Sequence, residues 1–152
     1  MTSKEEHLRD LIHHAMPGMA EVHIQRPRRV FVRVPREALK NVVHVLAKEM
    51  GVTHISSITG RDAGSELEAL YHFFANGVVI TVRTTCPRDD PTLDTITEII
   101  PGALFYEREV HDLMGIVPKG HPDLRKLVLP DDWEEGHPLR KDWKPVGGEG
   151  SG

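Results

Sequence analysis

The chain has 152 residues, of which 39% are hydrophobic, and a net charge of −4. This length predicts one compact domain with an extension, large enough to bury a core without disulfides. The single cysteine, Cys86, excludes an internal disulfide, a CxxC redox pair and an iron–sulfur cluster ligated by cysteines of this chain alone. The charge gives no reason to expect nucleic-acid binding. The longest apolar run, around residues 78–80, is too short for a membrane span, so we expect any membrane association to go through a partner.

Apolar residues at helical spacing predict three helices. The first begins at a capping box formed by Ser3 and Glu6 and ends at Pro17-Gly18. The second begins at Pro35 and carries an apolar stripe from Leu39 to Met50. The third covers residues 103–114, and a short helical turn is predicted for residues 93–100. Glycine stops are expected at Gly51 and Gly115.

Five β-strands are predicted, two before the second helix and three after it. They cover residues 21–25, 29–34, 54–59, 66–74 and 78–85. The last two strands flank Asn76-Gly77, which is the strongest short hairpin signal. The order predicts an α+β fold, in which a mostly antiparallel sheet carries its helices on one face.

In residues 106–143 charged residues alternate with glycine and proline, and from residue 116 onward there is no apolar periodicity. This stretch is too polar to be a core and too rich in proline to be a plain solvated tail. Its charges are expected to need another surface, which indicates an extended C-terminal docking segment rather than an active site. The sequence thus predicts an α+β domain at residues 1–115 and a docking segment at residues 116–152.

A group of histidines and aspartates suggests a metal site, but its spacing matches no zinc pattern, and proline follows two of the histidines. The group comprises His111, Asp112, His121, Asp123 and His137. We favour histidines that bond backbone carbonyls and carboxylates at an interface. The alternative is a small metal-dependent enzyme that uses His111, His121 and His137.

The acidic residues of the third helix, Glu107, Glu109 and Asp112, suggest acid–base chemistry. Charges on a helix are more often a solvated face, and no nucleophile, phosphate loop or substrate pocket is evident nearby. Cys86 lacks a histidine partner and a strained elbow, so packing at a strand end is expected for it. No catalytic residue is therefore predicted.

Trp133 and Trp143 lie in the polar segment without apolar neighbours in the sequence. Large aromatic residues in such surroundings are typical anchors of protein interfaces. The alternative is that both side chains fold back onto this domain, since half-buried tryptophan is also common in monomers.

Residues 106–142 resemble the thirty-kilodalton subunit family of respiratory complex I. The resemblance rests on four blocks that follow in the family's order and spacing, and it extends more weakly back to Val34-Pro35-Arg36. The blocks are Tyr106-Glu107-Arg108-Glu109 with Asp112 and Gly115-Ile116, Gly120-His121-Pro122-Asp123-Leu124-Arg125, Leu129-Pro130-Asp131-Asp132-Trp133, and Gly136-His137-Pro138-Leu139-Arg140-Lys141-Asp142. The family also serves energy-converting nickel–iron hydrogenases and related archaeal complexes.

The resemblance implies a non-catalytic structural subunit of a membrane-bound, ion-translocating oxidoreductase. Such subunits bind no cofactor, pack their C-terminal segment on the large hydrogenase-like subunit of the peripheral arm, and help to seat the small iron–sulfur subunit. The iron–sulfur clusters and the quinone or nickel–iron site are expected on those partners. The implied location is the cytoplasmic side of the cell membrane, reached through partners.

The resemblance also implies which residues form the partner interface, with no catalytic, cofactor-binding or metal-binding residue among them. They are Glu107, Arg108, Glu109, Asp112, His121, Asp123, Arg125, Asp132, Trp133, His137, Arg140, Lys141 and Asp142. The chain departs from the family at residues 112–115, where Asp-Leu-Met-Gly replaces the frequent Asp-Met-Phe-Gly. Many members of the family continue well beyond the block that ends at Asp142, whereas this chain stops at Gly152. This difference favours a hydrogenase-type or other archaeal-type complex, or a minimal complex I. A free-standing adaptor of a soluble partner is a further alternative.

Overall fold

A computed structural model describes residues 3–145 of the chain, so residues 146–152 of the predicted docking segment lie outside the described residues. Three α-helices are found within this range, in the predicted order: α1 (Lys4–Ala15), α2 (Leu39–Met50) and α3 (Ala103–Met114). The strands are β1 (Glu21–Arg26), β2 (Arg29–Arg33), β3 (Ile55–Asp62), β4 (Glu66–Ala75), β5 (Val78–Pro87), β6 (Thr92–Asp94) and β7 (Val117–Lys119). The predicted start of the second helix at Pro35 is too early, because Arg36–Ala38 forms a short 3-10 turn that leads into α2 at Leu39.

The helix ends follow the local sequence signals. Ser3 and Glu6 form the predicted capping box at the start of α1, which satisfies backbone N–H groups that have no partner inside the helix. Both predicted glycine stops are confirmed, since Gly51 and Gly115 adopt left-handed conformations with φ of 67° and 76°. These glycines end α2 and α3 where a side chain would be strained.

The main sheet has five strands in the order β1-β2-β5-β4-β3. Three neighbouring pairs are antiparallel, whereas β2 and β5 are parallel, so the sheet is mixed rather than purely antiparallel. The predicted hairpin is confirmed, because Asn76 and Gly77 both have positive φ and join β4 to β5. The parallel pair arises because the chain crosses over through α2 before it returns to the sheet.

The predicted helical turn at residues 93–100 is wrong at its start. Thr92–Asp94 forms β6, which pairs in parallel with β7, and Leu93 lies opposite Pro118. Leu93 is 3% exposed, so pairing with a distant segment buries an apolar side chain that an isolated turn would leave in water. Strand β7 belongs to the segment after residue 115, and the division of the chain at that residue stays a prediction.

One face of the main sheet forms the core with the helices. Burial alternates along β5 and along β4 from Ala69 onward, and the buried apolar residues of these strands share a single cluster with the apolar residues of α1, α2 and α3. Helix α3 comes closest at β3, where Gly60 faces Met114. This packing fixes α3 in the core while its other side meets the C-terminal segment.

Candidate partner-binding surface

Arg108 holds the backbone of the C-terminal segment against α3. The residue is 7% exposed. Its Nε donates to the carbonyl oxygen of Arg125 at 2.7 Å, and its Nη2 donates to that of Lys126 at 3.1 Å. The guanidinium also lies over the Phe105 ring, 6.0 Å from the ring centroid, at the outer limit of a cation–π contact. Arg108 thereby ties the segment to α3 through carbonyl groups.

Asp112, one turn further along α3, binds the next three residues of the same segment. Its Oδ2 accepts hydrogen bonds from the backbone N–H groups of Leu127, Val128 and Leu129 at 2.8, 2.9 and 3.3 Å. Successive N–H groups that converge on one oxygen form an anion-binding nest. Because Asp112 is 3% exposed, these donors replace the water that its charge would otherwise need.

The other carboxylate oxygen of Asp112 faces His111. Oδ1 lies 3.8 Å from His111 Nδ1, and neither atom has a hydrogen-bond partner within residues 3–145. Burial lowers the pKa of His111, so the ring is neutral at pH 7. The ring of His137 packs edge-on against it, with 6.4 Å between the centroids. His111 therefore acts as a packed neutral ring beside Asp112.

The C-terminal segment also caps the end of α3. The carbonyl groups of residues 112–114 accept hydrogen bonds from His137 Nδ1, the backbone N–H of Leu139 and Arg140 Nε, at 3.0, 2.9 and 2.7 Å. Carbonyls in the last turn have no partner inside a helix, so these donors satisfy them. A Cβ at Gly115 would come within 2.6 Å of Arg140 Nη2 and His137 Cδ2. The glycine is thus needed for close approach as well as for its φ.

His121 makes a similar backbone contact further along the segment. Its Nε2 donates to the carbonyl oxygen of Leu104 at 2.9 Å, while its Nδ1 accepts from the N–H of Asp123 at 3.0 Å. The Asp123 carboxylate accepts hydrogen bonds from Nε and Nη2 of Arg125, both at 2.8 Å, and this partner lowers the pKa of Asp123 to about 2.

No group of three histidine, cysteine, aspartate or glutamate side chains suited to a metal occurs among residues 3–145.

A second anchor joins the segment to the end of the main sheet. Arg88 donates to Asp62 Oδ1 at 2.7 Å and to Asp142 Oδ1 at 2.6 Å. The backbone N–H of Lys141 donates to Asp62 Oδ2 at 2.8 Å, and that of Gly64 donates to Oδ1 at 2.9 Å. The N–H groups of Gly64 and Lys141, together with Arg88, hold the pKa of Asp62 well below its usual range.

Sequence reasoning missed Asp62 and Arg88 as members of this surface. Asp62 stands in Gly60-Arg-Asp-Ala-Gly64, which predicts a turn after a strand. The turn is confirmed, because the Asp62 carboxylate accepts a hydrogen bond from the N–H of Gly64, two residues ahead, as aspartate does in turns. Its bond to Lys141 has no local signal in the sequence.

The two tryptophans pack on each other within the segment. Trp133 and Trp143 stack with 6.3 Å between centroids and an interplanar angle of 23°. Their indole N–H groups donate to the carbonyl oxygens of Gly136 at 2.8 Å and Glu135 at 2.5 Å. Both side chains are half-buried, and their role as interface anchors stays a prediction.

The remaining predicted interface residues lie in different environments. Glu107 is 4% exposed and faces the core, where it accepts hydrogen bonds from Thr95 Oγ1 at 2.7 Å and from the Ile96 N–H at 3.1 Å. Burial raises the pKa of Glu107. Glu109 is half-buried on α3, whereas Asp132 and Lys141 are exposed.

Five of the charged and histidine side chains in residues 106–143 do not need another protein to be satisfied. Arg108 and Asp112 on α3 bond backbone groups of the segment, and His121, His137 and Arg140 on the segment bond backbone groups of α3. The premise that these charges require a separate surface is therefore wrong, because the segment folds back over α3. Docking on a partner is not tested by these contacts and stays a prediction.

The outer side of this surface is apolar in part. Six large hydrophobic side chains are exposed among residues 3–145, and four of them lie on α3 or on the segment tied to it. They are Phe105 (59% exposed), Leu127 (41%), Val128 (50%) and Leu139 (56%). An open groove of about 580 Å³ lies between α3 and the segment, lined by Arg108, Leu124, Arg125, Lys126 and Asp131.

In the part of the chain that is described, no helix has the length and apolar character needed to cross a membrane.

Comparison with known proteins gives one family and several relatives. The sequence profile described as "Respiratory-chain NADH dehydrogenase, 30 Kd subunit" matches residues 32–149. A subunit of the F(420)H(2) dehydrogenase of Methanosarcina mazei is 36% identical over 131 residues, which cover 84% of this chain and 83% of that protein. The NADH-quinone oxidoreductase subunit 5 of Thermus thermophilus is 39% identical over 133 residues, which cover 78% of this chain and 62% of that protein.

A solved structure extends the likeness to the fold. A chain in the membrane-bound sulfane sulfur reductase, described as an archaeal respiratory membrane complex, superposes with a TM-score of 0.81 and 28% sequence identity. The match covers 93% of this chain and 86% of that chain. It therefore includes the C-terminal segment as well as the sheet and helices.

Proposed function

We propose a docking role for this chain, which belongs to the 30 Kd subunit family of the respiratory-chain NADH dehydrogenase. The chain is a structural subunit of a complex I-like oxidoreductase, in keeping with relatives that are subunits of NADH-quinone oxidoreductase and F(420)H(2) dehydrogenase. In our proposal its C-terminal segment binds the large hydrogenase-like subunit of the peripheral arm. The small iron–sulfur subunit is seated beside it.

The observation that carries this proposal is the exposure of apolar side chains on a segment whose backbone is fixed. Leu127 and Val128 are exposed although Asp112 holds their N–H groups. A flexible tail would bury such residues or lose entropy when it bound a partner. A segment already held on α3 presents them in one conformation, which lowers the entropic cost of association.

Charge adds specificity to this surface. The groove beside Leu124 is lined by Arg108, Arg125 and Lys126, with Asp131 as its one acidic residue. Arg125 is the accessible cation of this groove, with a side chain that is 80% exposed. A carboxylate on the large subunit would meet this guanidinium, because paired charges across an interface fix its register.

We further propose that this chain holds no cofactor and has no active site of its own. The iron–sulfur clusters and the quinone or nickel–iron site would then lie on partner subunits, and this chain would contribute to their position. The location that follows is the cytoplasmic side of the cell membrane, with the membrane reached through partners.

The experiment compares two charge insertions in a tagged chain expressed in its native cell. Val128→Asp places a charge in the proposed interface, while Met19→Asp places one on an exposed apolar side chain away from it; Met19 is 43% exposed. We expect the large subunit and the iron–sulfur subunit to co-purify in mild detergent with the wild type and with Met19→Asp. Val128→Asp is expected to lose both.

Three results would contradict the proposal. Equal recovery of both partners with the two variants would exclude residue 128 from the interface. Loss of the fold in Val128→Asp, measured by thermal unfolding, would show that residue 128 stabilises this chain rather than contacting a partner. A chain that purifies alone with stoichiometric zinc or iron would favour the metal-dependent enzyme.

A further inference from the structure

We infer that the outer face of the main sheet is a second protein-binding surface, and that it takes an acidic, amphipathic helix of another protein of the complex. This face is opposite to the one that packs on α1, α2 and α3. The inference goes beyond the docking role of the C-terminal segment. Like that role, it assumes that the chain works in a complex.

The strand register defines the face. Along β5, the side chains of Val78, Ile80 and Val82 are buried in the core, so the alternate residues point the other way. The cross-strand partners of those alternate residues lie on the same face of the sheet. The resulting outer face includes Glu21, His23, Arg26, Arg29, Phe31, Arg33, Thr59, Arg61, Glu66, Glu68, Leu70, His72, Phe74, Val79, Thr81 and Arg83.

Apolar side chains lie together near the hairpin end of this face. Val79 pairs directly with Phe74 on β4, and Phe31 on β2 lies one diagonal step away. Phe74 is 60% exposed, the largest exposed fraction among the large hydrophobic residues of the described chain. The solvent face of an antiparallel sheet is normally polar, so an aromatic side chain as exposed as Phe74 indicates contact with another surface.

The face is more basic than the rest of the chain. Five arginines lie on it against three glutamates, whereas the whole chain has a net charge of −4. The arginines are Arg26, Arg29, Arg33, Arg61 and Arg83, and the glutamates are Glu21, Glu66 and Glu68. The exposed part of the face therefore attracts acidic groups.

Two arginines on this face are already positioned for such groups. Glu68 is 5% exposed and forms an ion pair with Arg83, while Arg61 Nη1 lies 3.7 Å from Glu68 Oε2. One buried carboxylate thus holds two guanidinium groups side by side. Arg33 lies directly opposite Arg83 in the parallel pair, and like charges in that position repel. An acidic side chain of the partner, placed between Arg33 and Arg83, would remove this repulsion.

His72 gives the face rigidity without adding charge. Its two ring nitrogens hydrogen-bond Thr59 Oγ1 on β3 at 3.1 Å and Thr81 Oγ1 on β5 at 3.2 Å. Burial lowers the pKa of His72, so the ring is neutral at pH 7. Three strands are therefore joined by side chains as well as by the backbone, and the face has a fixed shape.

An acidic helix fits these features better than a second copy of this chain or a nucleic acid. Two basic faces would repel each other in a symmetric dimer. The small excess of positive charge is too little for the phosphate backbone of a nucleic acid. The helices of this chain already pack on the opposite face through apolar stripes, and a partner helix with a similar stripe would cover Phe31, Phe74 and Val79.

The test places a photo-crosslinking residue, benzoylphenylalanine, at Phe74 or at Val128 of the tagged full-length chain. The complex is purified from native membranes before irradiation, and crosslinked peptides are identified by mass spectrometry. We expect residue 74 to crosslink to an acidic helical segment of a partner protein. Arg29→Glu in the same chain should abolish this crosslink while the crosslink at residue 128 remains.

The two probes separate this proposal from the docking role. A crosslink at residue 128 without one at residue 74 would overturn the sheet-face proposal alone. A crosslink at residue 74 to a second copy of this chain, to RNA or to a basic segment would also overturn it. An unchanged yield in Arg29→Glu would show that charge does not select the partner. Loss of both crosslinks in a folded, purified complex would reject both proposals.

Discussion

Arg108 and Asp112 lie one turn apart on α3 and bind opposite polar groups of one backbone stretch. The guanidinium donates hydrogen bonds to the carbonyl oxygens of residues 125–126, and the carboxylate accepts hydrogen bonds from the N–H groups of residues 127–129. Neither charge is used to neutralise the other. The pair instead holds the C-terminal segment in place and leaves its apolar side chains exposed.

Asp112→Ala is expected to release residues 125–129 from α3 while the core stays folded. Three N–H groups lose the carboxylate oxygen that accepts their hydrogen bonds. Because Leu127 and Val128 are exposed, water takes over some of these hydrogen bonds. The free energy of unfolding should fall by about 1–3 kcal/mol. Trypsin should then cleave after Arg125 and Lys126 faster than in the wild type, which gel electrophoresis over time measures.

Glu109→Ala serves as the matched control for Asp112→Ala. Glu109 is a half-buried acidic residue on the same helix, so its removal changes charge and helix content in a similar way. We expect cleavage after residues 125 and 126 to be unchanged in this variant. Equal acceleration in both variants would show that the charge of α3, rather than the nest around Asp112, controls the segment.

The second anchor is expected to depend on pH through Asp62. Its pKa is lowered by the N–H groups of Gly64 and Lys141 and by Arg88, so the folded state favours the ionised form. Such a group stabilises the fold above its pKa in the unfolded chain, and this contribution is lost as the pH falls through the lower, folded pKa. Wild-type stability should therefore decline below about pH 4.

Asp62→Asn tests this dependence. We expect the difference in unfolding free energy between the wild type and the variant to be constant from neutral pH down to about pH 4, and to shrink below it. Urea titrations at a series of pH values measure this difference. A difference in unfolding free energy that stays constant down to about pH 2 would mean that folding does not change the pKa of Asp62.

Gly60→Ala is expected to disturb the contact between β3 and α3. A Cβ at residue 60 would lie 2.6 Å from Met114 Cγ and 3.5 Å from Val110 Cγ1. Met114 is 1% exposed and has little room to move, so overpacking should cost about 1–3 kcal/mol of unfolding free energy. Gly102→Ala is the control, because no atom lies within 4 Å of its Cβ position. Equal stability of the two variants would contradict the close approach.

Local signals predict most of the helices and strands, because each depends on residues near in sequence. The stripe of α2 and the hairpin at Asn76-Gly77 are examples. Strand β6 escapes prediction because it has three residues and pairs with β7, which lies beyond α3. The parallel placement of β2 beside β5 escapes prediction for the same reason. Non-local pairing leaves no pattern that a single sequence displays.

The candidate surface shows the same limit. The charged residues of α3 and of the segment can be selected as one group, since their blocks stand out in the sequence. Their contacts cannot be predicted, because Arg108 and Asp112 bind backbone groups, which every residue has. Asp62 gives no signal because Lys141, whose N–H it accepts, lies 79 residues further along the chain.

Cys86 offers a probe of the whole fold that needs no mutation. It is the single cysteine of the chain, it is 1% exposed, and burial raises its pKa to about 11. The thiolate is the form that reacts with alkylating agents, so both burial and the raised pKa should slow the reaction. We expect iodoacetamide at about pH 8, near the pKa of a free thiol, to modify the native protein far more slowly than the urea-unfolded chain.

The alkylation rate of Cys86 should rise through the unfolding transition, because its exposure requires β5 to leave the core. Mass spectrometry of samples taken over time measures this rate at each urea concentration. Native protein that reacts at the rate of the unfolded chain would show that the end of β5 opens without global unfolding. In that case the anchor formed by Arg88, which directly follows β5, would open with it, and the C-terminal segment would be held through α3 alone.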